Sequence, residues 1–569
     1  MRDQMTKKTI RPLKIAVILF ITLLLLSAFG VWWYLAPGRE KVEPYPETED
    51  PRIIWENEDL GTGMAFTEEE TVYISKDFIQ TYFDPYIHFD EPSNHITITT
   101  HDKMIQMKTE QLTAKVNERE VELNFPPLLV NDEPFLPGDL MSELYPVKIN
   151  YNSADDLVIL DDMERQILKG HSSKEDAIVR EDSSIRSGII QQLPKGTSFN
   201  IYKQVENWYR IRTDKGYLGY IHVDDTQLGE IDFRHVAERE HPDPPEIPIG
   251  EPINLTWEHV INETPEPEEM PELPGVNVIS PTWFHLADQD GNVINLADKA
   301  YVEWAHRNNK QVWALFSNQF DPDLTHEFLR NPKARKNAIY EILLHAEIYD
   351  LDGINLDFEN IHLKDKDYYT QFVRELTPFL REQGLVISVD VTFLSSSENW
   401  SMCYDRKALA DTVDFVMVMA YDEHWGAGSD SGSVSSLPWV RSNLEEILNI
   451  VPNDQLVLGI PFYTRLWEEE KDGERGDPID SSAYGMEQIE RILEEHDAEI
   501  TFDPKSEQYY GEYRVGDSIF RTWLETEESI KKRIELVHEH DLAGIASWRR
   551  GFEKPEIWDT IQDELKISQ

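Results

Sequence analysis

The 569-residue sequence predicts a multidomain protein whose largest part is a (β/α)8 barrel with an α/β insertion. Beyond residue 252, eight nearly continuous apolar runs of strand length alternate with helical patterns, as expected for buried parallel strands linked by helices. Near the amino terminus, one apolar stretch is long enough for a transmembrane helix. Between these regions, short strand patterns with turn signals indicate two small domains, an α+β repeat module and a small β-barrel.

The composition argues against several classes of function. The chain has 107 acidic residues and 54 Lys and Arg residues, so its formal net charge is −53. General affinity for nucleic acid or anionic lipid needs clustered basic residues, and this balance disfavours both. The single cysteine, Cys403, excludes an intramolecular disulfide and a cysteine zinc site. The histidines have no metal-ligand spacing, and we expect neither a metal nor a cofactor.

The amino terminus predicts a membrane anchor. Residues 1–14 carry five basic residues against one acidic residue and would form a cytoplasmic stub. Residues 15–36 lack any charge, and a helix of this length spans ~33 Å, about one bilayer core. Two tryptophans and a tyrosine at residues 32–34 suit the outer interface. We expect a single-pass protein of the cell membrane with its larger part extracellular. A signal peptide cleaved near residues 28–30, giving a secreted protein, is the alternative.

After the anchor, residues 37–69 read as a linker rich in Glu and Pro at its start. Residues 70–162 contain two related stretches in which Asp77 and Asp139 occupy equivalent positions. Each copy predicts a short strand, a helical turn capped by the Asp, and then a hairpin. The pattern resembles the bacterial repeat module named after the amino-terminal domain of copper amine oxidases. The resemblance implies a spacer or wall-contact module, and we see no metal constellation in it.

Residues 166–228 predict a small β-barrel. The order W-Y-R-I, a tight turn at Lys215-Gly216 and then G-Y-I resembles bacterial SH3-like domains, which implies binding to the cell wall. Four aromatic residues form either a ligand groove or part of the packed core, and both interpretations remain open at this stage. These residues are Tyr202, Trp208, Tyr209 and Tyr217. Residues 229–251 then form a second linker rich in Pro and Glu.

The predicted barrel occupies residues 252–566. Six of the seven gaps between its strands fit one helix with its loops; residues 367–382, for example, repeat apolar side chains at helical spacing. The last gap is longer and predicts a small α/β insertion at about residues 477–525. The eight predicted strands are residues 253–260, 276–283, 311–316, 353–358, 385–393, 413–421, 456–463 and 543–548.

The fourth predicted strand places two carboxylates on one face. Side chains alternate along a strand, so Asn355, Asp357 and Glu359 would face the barrel axis and the apolar residues between them would face the helices. Active sites of such barrels lie at the carboxyl ends of the strands. Crowding by Asp357 should raise the affinity of Glu359 for a proton, which suits a general acid.

Four strand ends together resemble glycoside hydrolase family 18, whose signature is D-x-x-D-x-D-x-E. Residues 352–359 carry it, with Asn355 where many members have the second Asp. Residues 419–422 (M-A-Y-D) and 544–548 (G-I-A-S-W) match the family elements that follow strands six and eight. Residues 459–465 (G-I-P-F-Y-T-R) resemble the element after strand seven, with Thr464 where Gly is common. The resemblance implies a chitinase-like TIM barrel of the branch found in bacterial spore and cell-wall enzymes.

This resemblance implies a substrate-assisted, retaining mechanism. Glu359 would protonate the glycosidic oxygen while the 2-acetamido carbonyl of the substrate attacks the anomeric carbon. Asp357 would stabilise the acetamido nitrogen, and Tyr421 would donate a hydrogen bond to the acetamido carbonyl. The implied substrate-binding residues are Asn355, Asp422, Trp548, Tyr463 and Arg465. Four further tryptophans near strand ends are either sugar platforms or plain packing, namely Trp257, Trp283, Trp313 and Trp425.

Asn355 is the one departure from the widest form of the signature. It can form a hydrogen bond with Asp357, but it cannot ionise or share a proton. We therefore expect Asp357 to remain anionic more readily than it would beside an aspartate, which would alter the acid limb of the pH profile.

The sequence thus predicts an extracellular glycosidase acting on N-acetylglucosamine-containing polysaccharide. Peptidoglycan is favoured over chitin because two wall-type modules accompany the barrel. A chitinase is the first alternative. A non-catalytic chitin- or peptidoglycan-binding protein ranks lower because Glu359 is present, and an envelope scaffold is a third possibility.

Overall fold

The computed structural model describes residues 17–27, 37–91, 93–100, 102–234, 252–428, 430–470 and 478–566. Of the predicted transmembrane span, residues 17–27 fall within these ranges and are helical, and the predicted stub of residues 1–14 lies outside them. No helix in the described ranges is long and apolar enough to cross a membrane. The chain divides into two compact units, one built mainly from residues before 241 and the other mainly from the residues after it.

In the first unit, the two copies of the repeat module meet through their strands. Thr71–Ser75 pairs antiparallel with Glu133–Pro137, and each strand runs directly into a helix of seven residues. These helices are Lys76–Tyr82 and Gly138–Leu144.

The predicted aspartate caps of these two helices are wrong. Ser75 is the cap of the first helix, because its side chain accepts the backbone N–H of Phe78 at 3.1 Å. Asp77 and Asp139 lie inside the first turns, where a negative charge complements the helix dipole.

The repeat module begins before residue 70. Residues 52–68, assigned to the linker by sequence, form three strands, and the first of these pairs in parallel with Leu157–Asp162. The predicted linker of residues 37–69 therefore extends too far, because the folded module already begins at residue 52. The other strands of the module and this added segment are Arg52–Trp55, Glu58–Gly61, Ala65–Glu68, His88–Asp90, His95–Thr99, Met104–Lys108, Thr113–Val116, Arg119–Glu122, Leu128–Val130 and Val147–Asn152.

The SH3-like domain is a single seven-stranded sheet around a small core that includes Phe199 and Ile211. Gly216 has a φ of +94° and supplies the predicted tight turn. The last strand continues to Phe233, beyond the predicted boundary at 228, and residues 235–251 of the second linker lie outside the described ranges. The seven strands are Gln166–Ser172, Ala177–Arg180, Ile189–Leu193, Ser198–Val205, Trp208–Thr213, Leu218–His222 and Thr226–Phe233.

The structure favours packing over an open aromatic groove in this domain. The Tyr202 hydroxyl donates to Glu56 at 2.9 Å, and the Tyr217 hydroxyl donates to Asp155 at 2.6 Å, so both side chains contact the repeat module. Trp208 is buried. These contacts support the packing interpretation for the three residues.

The second unit contains the predicted barrel. Eight parallel strands close into a ring, since the first strand pairs with both the second and the eighth, and the second pairs with the third. The strands are β1 (Ile253–Glu258), β2 (Val278–Pro281), β3 (Gln311–Ser317), β4 (Gly353–Asp357), β5 (Val386–Thr392), β6 (Phe415–Met419), β7 (Leu456–Pro461) and β8 (Gly544–Trp548).

Apolar side chains pack on both faces of the barrel strands, inside the ring and between the ring and the surrounding helices. Leu255, Trp313 and Met417 pack inside the ring. Ile354 and Leu356 of β4 pack outside it against the surrounding helices, which confirms the predicted direction of the apolar face of this strand.

The helices differ from the prediction in two gaps: the first has no α-helix, and the third has two, Pro322–Leu329 and Pro332–Tyr349. Between β1 and β2, the structure has no α-helix and only the 3₁₀ turn Pro267–Glu269. Prolines at 265, 267, 271 and 274 lack the backbone N–H that a helix needs, which explains the difference. The helices of this unit are Lys299–Arg307, Pro322–Leu329, Pro332–Tyr349, Lys366–Glu382, Arg406–Ala410, Leu437–Ile447, Met486–Glu495, Glu527–Glu539 and Glu556–Leu565.

The α/β insertion begins earlier than predicted, directly after β7 at Tyr463. Its five-stranded sheet packs against the helix Met486–Glu495 through residues such as Leu466 and Ile489. The insertion is therefore continuous with a barrel strand at the carboxyl end of the ring. In sheet order the strands are Pro478–Gly485, Tyr463–Glu470, Ser518–Leu524, Gln508–Val515 and Glu499–Asp503.

Candidate active site

Strand β4 is held in place by the first aspartate of the signature. Asp352 precedes the strand, and its Oδ2 accepts the backbone N–H of Val312 at 2.7 Å and lies 2.8 Å from Nε2 of His306. These contacts join β4 to β3 at the end of the barrel away from the carboxylates. Asp352 therefore has a structural role.

Asn355 lies fully buried at the centre of a polar network inside the barrel. Its Nδ2 donates to Asp390 Oδ1 at 2.7 Å and to Ser388 Oγ at 3.0 Å. Its Oδ1 accepts from Trp257 Nε1 at 2.9 Å and from Ser280 Oγ at 3.2 Å. Both amide hydrogens are already used.

The predicted hydrogen bond from Asn355 to Asp357 is therefore wrong, because the amide donates to Asp390 instead. Asp357 is 7% exposed, and its Oδ1 is buried without a hydrogen-bond partner. Burial raises the pKa of Asp357 to about 7. Near neutral pH the carboxyl group can thus both hold and release a proton. How an aspartate at position 355 would change this balance stays a prediction.

Glu359 lies two residues beyond the end of β4, and hydrogen bonds to its backbone fix its position. Its N–H donates to Asn318 Oδ1 at 3.0 Å, and Asn318 Nδ2 donates to its carbonyl oxygen at 2.7 Å. Burial raises the pKa of Glu359 well above the usual value, and the charges of Asp357, Asp390 and Asp422 raise it further. The predicted effect of Asp357 has the right direction, but burial is the larger cause. Burial and the neighbouring charges thus favour the protonated form of Glu359, the form that a general acid needs.

Asp390 of β5 is a further site residue that our sequence reasoning missed. It is 1% exposed, and its pKa is raised by burial and by the charge of Asp357. A signal was available: within the apolar β5, Ser388 and Asp390 alternate as Asn355 and Asp357 do in β4.

The ends of β6 and β7 bring three predicted residues together. The Tyr463 hydroxyl donates to Asp422 Oδ1 at 2.5 Å, and the rings of Tyr421 and Tyr463 meet edge to face at 6.2 Å. Burial and nearby carboxylates, Asp390 first among them, hold the pKa of Tyr421 far above its usual value, so its hydroxyl remains a donor. Removal of water around the carboxyl group raises the pKa of Asp422, although much of this residue's surface remains accessible.

Arg465 completes this side of the site. Its positive charge and the Tyr463 hydrogen bond both lower the pKa of Asp422, opposing the effect of burial. Its Nη1 donates to Ser481 at 3.2 Å, while its buried Nε has no partner. The guanidinium group thus has an N–H still available.

The tryptophan candidates separate into packing and exposed residues. Trp548 ends β8, with its ring 6.0 Å from Trp257 and 5.9 Å from His259. Trp257, Trp283 and Trp313 are fully buried, so they are packing residues. Trp425, in the loop after β6, is 56% exposed and remains a candidate platform.

Two more exposed aromatic side chains flank the loop that carries Glu359. Phe320 and Trp400 are 44% and 42% exposed, and their rings lie 6.3 Å apart. Asn360 connects their loops, since its Nδ2 donates to the Phe320 carbonyl at 2.9 Å and its Oδ1 accepts from Asn399 at 3.2 Å. Sequence reasoning missed this pair because each residue lies in a loop outside the family elements.

Comparison with protein families confirms the three resemblances. Residues 273–553 match the model described as Glycosyl hydrolases family 18. The barrel is a family 18 glycosidase domain. Residues 175–227 match the bacterial SH3 domain, and residues 57–160 match the copper amine oxidase N-terminal domain. The last match agrees with the earlier start of the repeat module seen in the structure.

Relatives of this family 18 domain include bacterial glycosylases. An uncharacterised glycosylase, YvbX of Bacillus subtilis, is 26% identical over 51% of this chain and 85% of its own length. The cortical fragment-lytic enzyme of the same organism is 27% identical over 44% of this chain and 59% of its own length. Among solved structures, the spore cortex-lytic enzyme SleL of Bacillus megaterium has 22% identity and a TM-score of 0.49 over 56% of this chain and 75% of its own.

Proposed function

We propose that this protein cleaves N-acetylglucosamine-containing glycan of the bacterial cell wall by substrate-assisted catalysis, with Glu359 as general acid and base. The observation that carries the proposal is the placement of Glu359 just beyond β4, where burial favours its protonated form and Asp357 and Tyr421 lie within electrostatic reach. A family 18 barrel holding a proton donor, a titratable carboxylate and a hydroxyl donor has the groups that this reaction needs.

Each group has a defined task in the reaction. Glu359 gives its proton to the glycosidic oxygen, and that C–O bond breaks as the substrate's acetamido oxygen bonds to the anomeric carbon. Asp357, as an anion, accepts the acetamido N–H and stabilises the positive charge that develops there. Tyr421 donates to the acetamido oxygen and orients it. Glu359, now a carboxylate, then takes a proton from water, which opens the cyclic intermediate with retained configuration.

Peptidoglycan is the proposed substrate. The matched SH3 and copper amine oxidase N-terminal modules support a wall location, and a similar protein bears the name cortical fragment-lytic enzyme. From the charge pattern of residues 1–36, we further propose that the chain is anchored in the cell membrane with the glycosidase outside. Membrane fractionation and protease protection of whole cells test this location.

Digestion of purified peptidoglycan and of chitin oligomers tests the activity and the substrate. We expect reducing ends from peptidoglycan, and no release by Glu359→Gln. Glu535→Gln, an exposed glutamate on the helix Glu527–Glu539, is the matched control and should behave as wild type. Preferential release from chitin would instead favour a chitinase, and equal activity of Glu359→Gln would exclude Glu359 as the acid.

A further inference from the structure

The centre of the site holds more buried acid than cation. Asp357, Glu359 and Asp390 lie within electrostatic reach of one another. Within the described ranges, no lysine or arginine lowers the pKa of any of the three, whereas Arg465 does so for Asp422. Neighbouring buried carboxylates without a cation cannot all ionise, so protons must be distributed among them.

The register of the sheet places two of these acids side by side. On the parallel strands β4 and β5, Asn355 lies opposite Ser388 and Leu356 lies opposite Val389. The recorded pairs end there, and the same register continued by one residue brings Asp357 level with Asp390, on strands about 4.8 Å apart. Both side chains are buried.

The hydrogen bonds of Asp390 define which of its oxygens is available. Asn355 Nδ2 donates to Oδ1 at 2.7 Å, which leaves Oδ2 as the natural position for a proton. Asp357 Oδ1 is a buried acceptor without a partner. One acid therefore offers a position for a proton while its neighbour has an unused acceptor.

Resting on the function proposed above, we propose that Asp390 is a positioning residue that shares one proton with Asp357, so that β5 supplies the carboxyl group that the signature lacks at Asn355. When Asp357 gives up its proton, the O–H bond on Asp357 breaks and one forms on Asp390. The pair keeps one proton and one negative charge throughout. Asp357 then faces the substrate's acetamido group as an anion, and the neutral Asp390 behind it adds no second charge.

In the described ranges, the groups that face this pair include no basic side chain that could take the shared proton. Asn355 and Glu359 approach from β4 and its following loop, Tyr421 from the end of β6, and Tyr369 from the helix Lys366–Glu382. Burial and the carboxylates hold the pKa of both tyrosines well above the usual value, so they remain neutral. The proton therefore has to reside on a carboxyl group.

The direct test is infrared titration of the full-length protein in a Glu359→Gln background, which removes the Glu359 carboxyl signal. A shared proton predicts a protonated-carboxyl C=O band that persists well above neutral pH. In the Glu359→Gln/Asp390→Asn protein, Asp357 is alone, and the band should disappear around the pKa of about 7 that burial gives it. A band unaffected by Asp390→Asn would overturn the proposal.

The kinetic test uses a swap of the two residues. Asp390→Asn removes the donor that stabilises the Asp357 anion, so the acid limb of the kcat/KM profile should move to higher pH, with a loss of about tenfold or more below neutrality. Asn355→Asp/Asp390→Asn keeps one amide and one carboxyl in the same network and should restore the limb. Ser388→Ala removes another hydrogen-bond partner of Asn355 without changing charge. The acid limb of the kcat/KM profile of this variant should match that of the wild type.

The outcomes separate the two proposals. A wild-type protein that cleaves no glycan overturns the proposed function, while the infrared titration still tests the proton pair. Suppose that the wild type is active but Asp390→Asn changes neither the acid limb of the kcat/KM profile nor the infrared C=O band. Asp390 then does not share the proton. The same conclusion follows if the swap variant fails to restore the acid limb. Should Asp390→Asn alone misfold, the swap variant carries the kinetic test, because it preserves the shape of the pair.

Discussion

Two groups of buried carboxylates in this chain have opposite surroundings. In the first unit, Glu56 is 2% exposed, and Arg234 forms ion pairs with both Glu56 and Asp161. Arg212 also forms an ion pair with Asp161 and donates to the Glu56 carbonyl at 3.1 Å. In the barrel, no lysine or arginine of the described ranges lowers the pKa of Asp357, Glu359 or Asp390 in this way.

The difference shows how the same chemical group serves structure in one place and reaction in another. A carboxylate paired with arginine stays charged and connects two parts of the fold. Without a cation, burial favours the neutral acid and keeps the proton exchangeable near physiological pH. Three variants test this contrast and a fourth tests the aromatic pair beside the general acid, in order of decreasing expected effect.

Glu359→Gln should reduce kcat by about 10³-fold, because the amide cannot donate a proton to the leaving oxygen. The melting temperature should not fall, since the substitution removes a crowded carboxyl group. Steady-state kinetics and calorimetry on the same preparations measure both effects. A large loss of stability would mean that Glu359 is a structural residue like Glu56.

Arg234→Met should destabilise the first unit by about 3–5 kcal/mol, because Glu56 would be left as an unpaired buried charge. Amide hydrogen exchange in the SH3-like domain measures this loss. Cleavage of a short soluble substrate should be unchanged. The double variant Glu56→Gln/Arg234→Met should recover part of the stability, and a failure to do so would show that packing of the arginine matters more than its charge.

Asp357→Asn should stabilise the protein at pH 8 by about 4 kcal/mol and have little effect at pH 3.5. The folded-state pKa of about 7 lies above the unfolded value, so wild-type stability falls as pH rises between these two values. Above pH 7 the wild type bears the full cost of an ionised buried group. Urea denaturation at the two pH values measures the difference, and an equal effect at both would contradict the raised pKa.

Trp400→Ala should raise KM for polymeric glycan by about fivefold, corresponding to ~1 kcal/mol of lost contact, and leave kcat for short substrates unchanged. Trp400 is exposed beside Phe320, close to the general acid. Phe502→Ala, an equally exposed aromatic side chain in the insertion, is the matched control. Equal KM values for Trp400→Ala and wild type would show that this aromatic pair does not bind the polymer.

Local patterns were sufficient for the barrel strands and for the inward face of β4. Alternation along one strand placed Asn355, Asp357 and Glu359 on the inner face, because the two-residue period of a strand is a property of the chain itself. Asp390 was missed because its importance depends on which residue lies next to it on another strand, and register between strands is not written in either strand alone.

The same reason explains why two interpretations stayed open for the SH3-like domain. Tyr202 and Tyr217 looked available for a ligand, but their hydroxyls bind acids of a module more than 50 residues earlier in the chain. The missing first helix, by contrast, could have been predicted, since four prolines between 265 and 274 are a local signal.

Tyr463 and Arg465 lie on the first strand of the α/β insertion, which follows β7 after a bend at the single residue Phe462. Two of the expected sugar contacts are thus encoded by the inserted segment. Exchange of residues 463–524 between related barrels would transfer both contacts together. Glu359 and its neighbours on β4 and β5 would keep their identity and position. The chemistry and the choice of sugar can therefore diverge at separate rates during evolution.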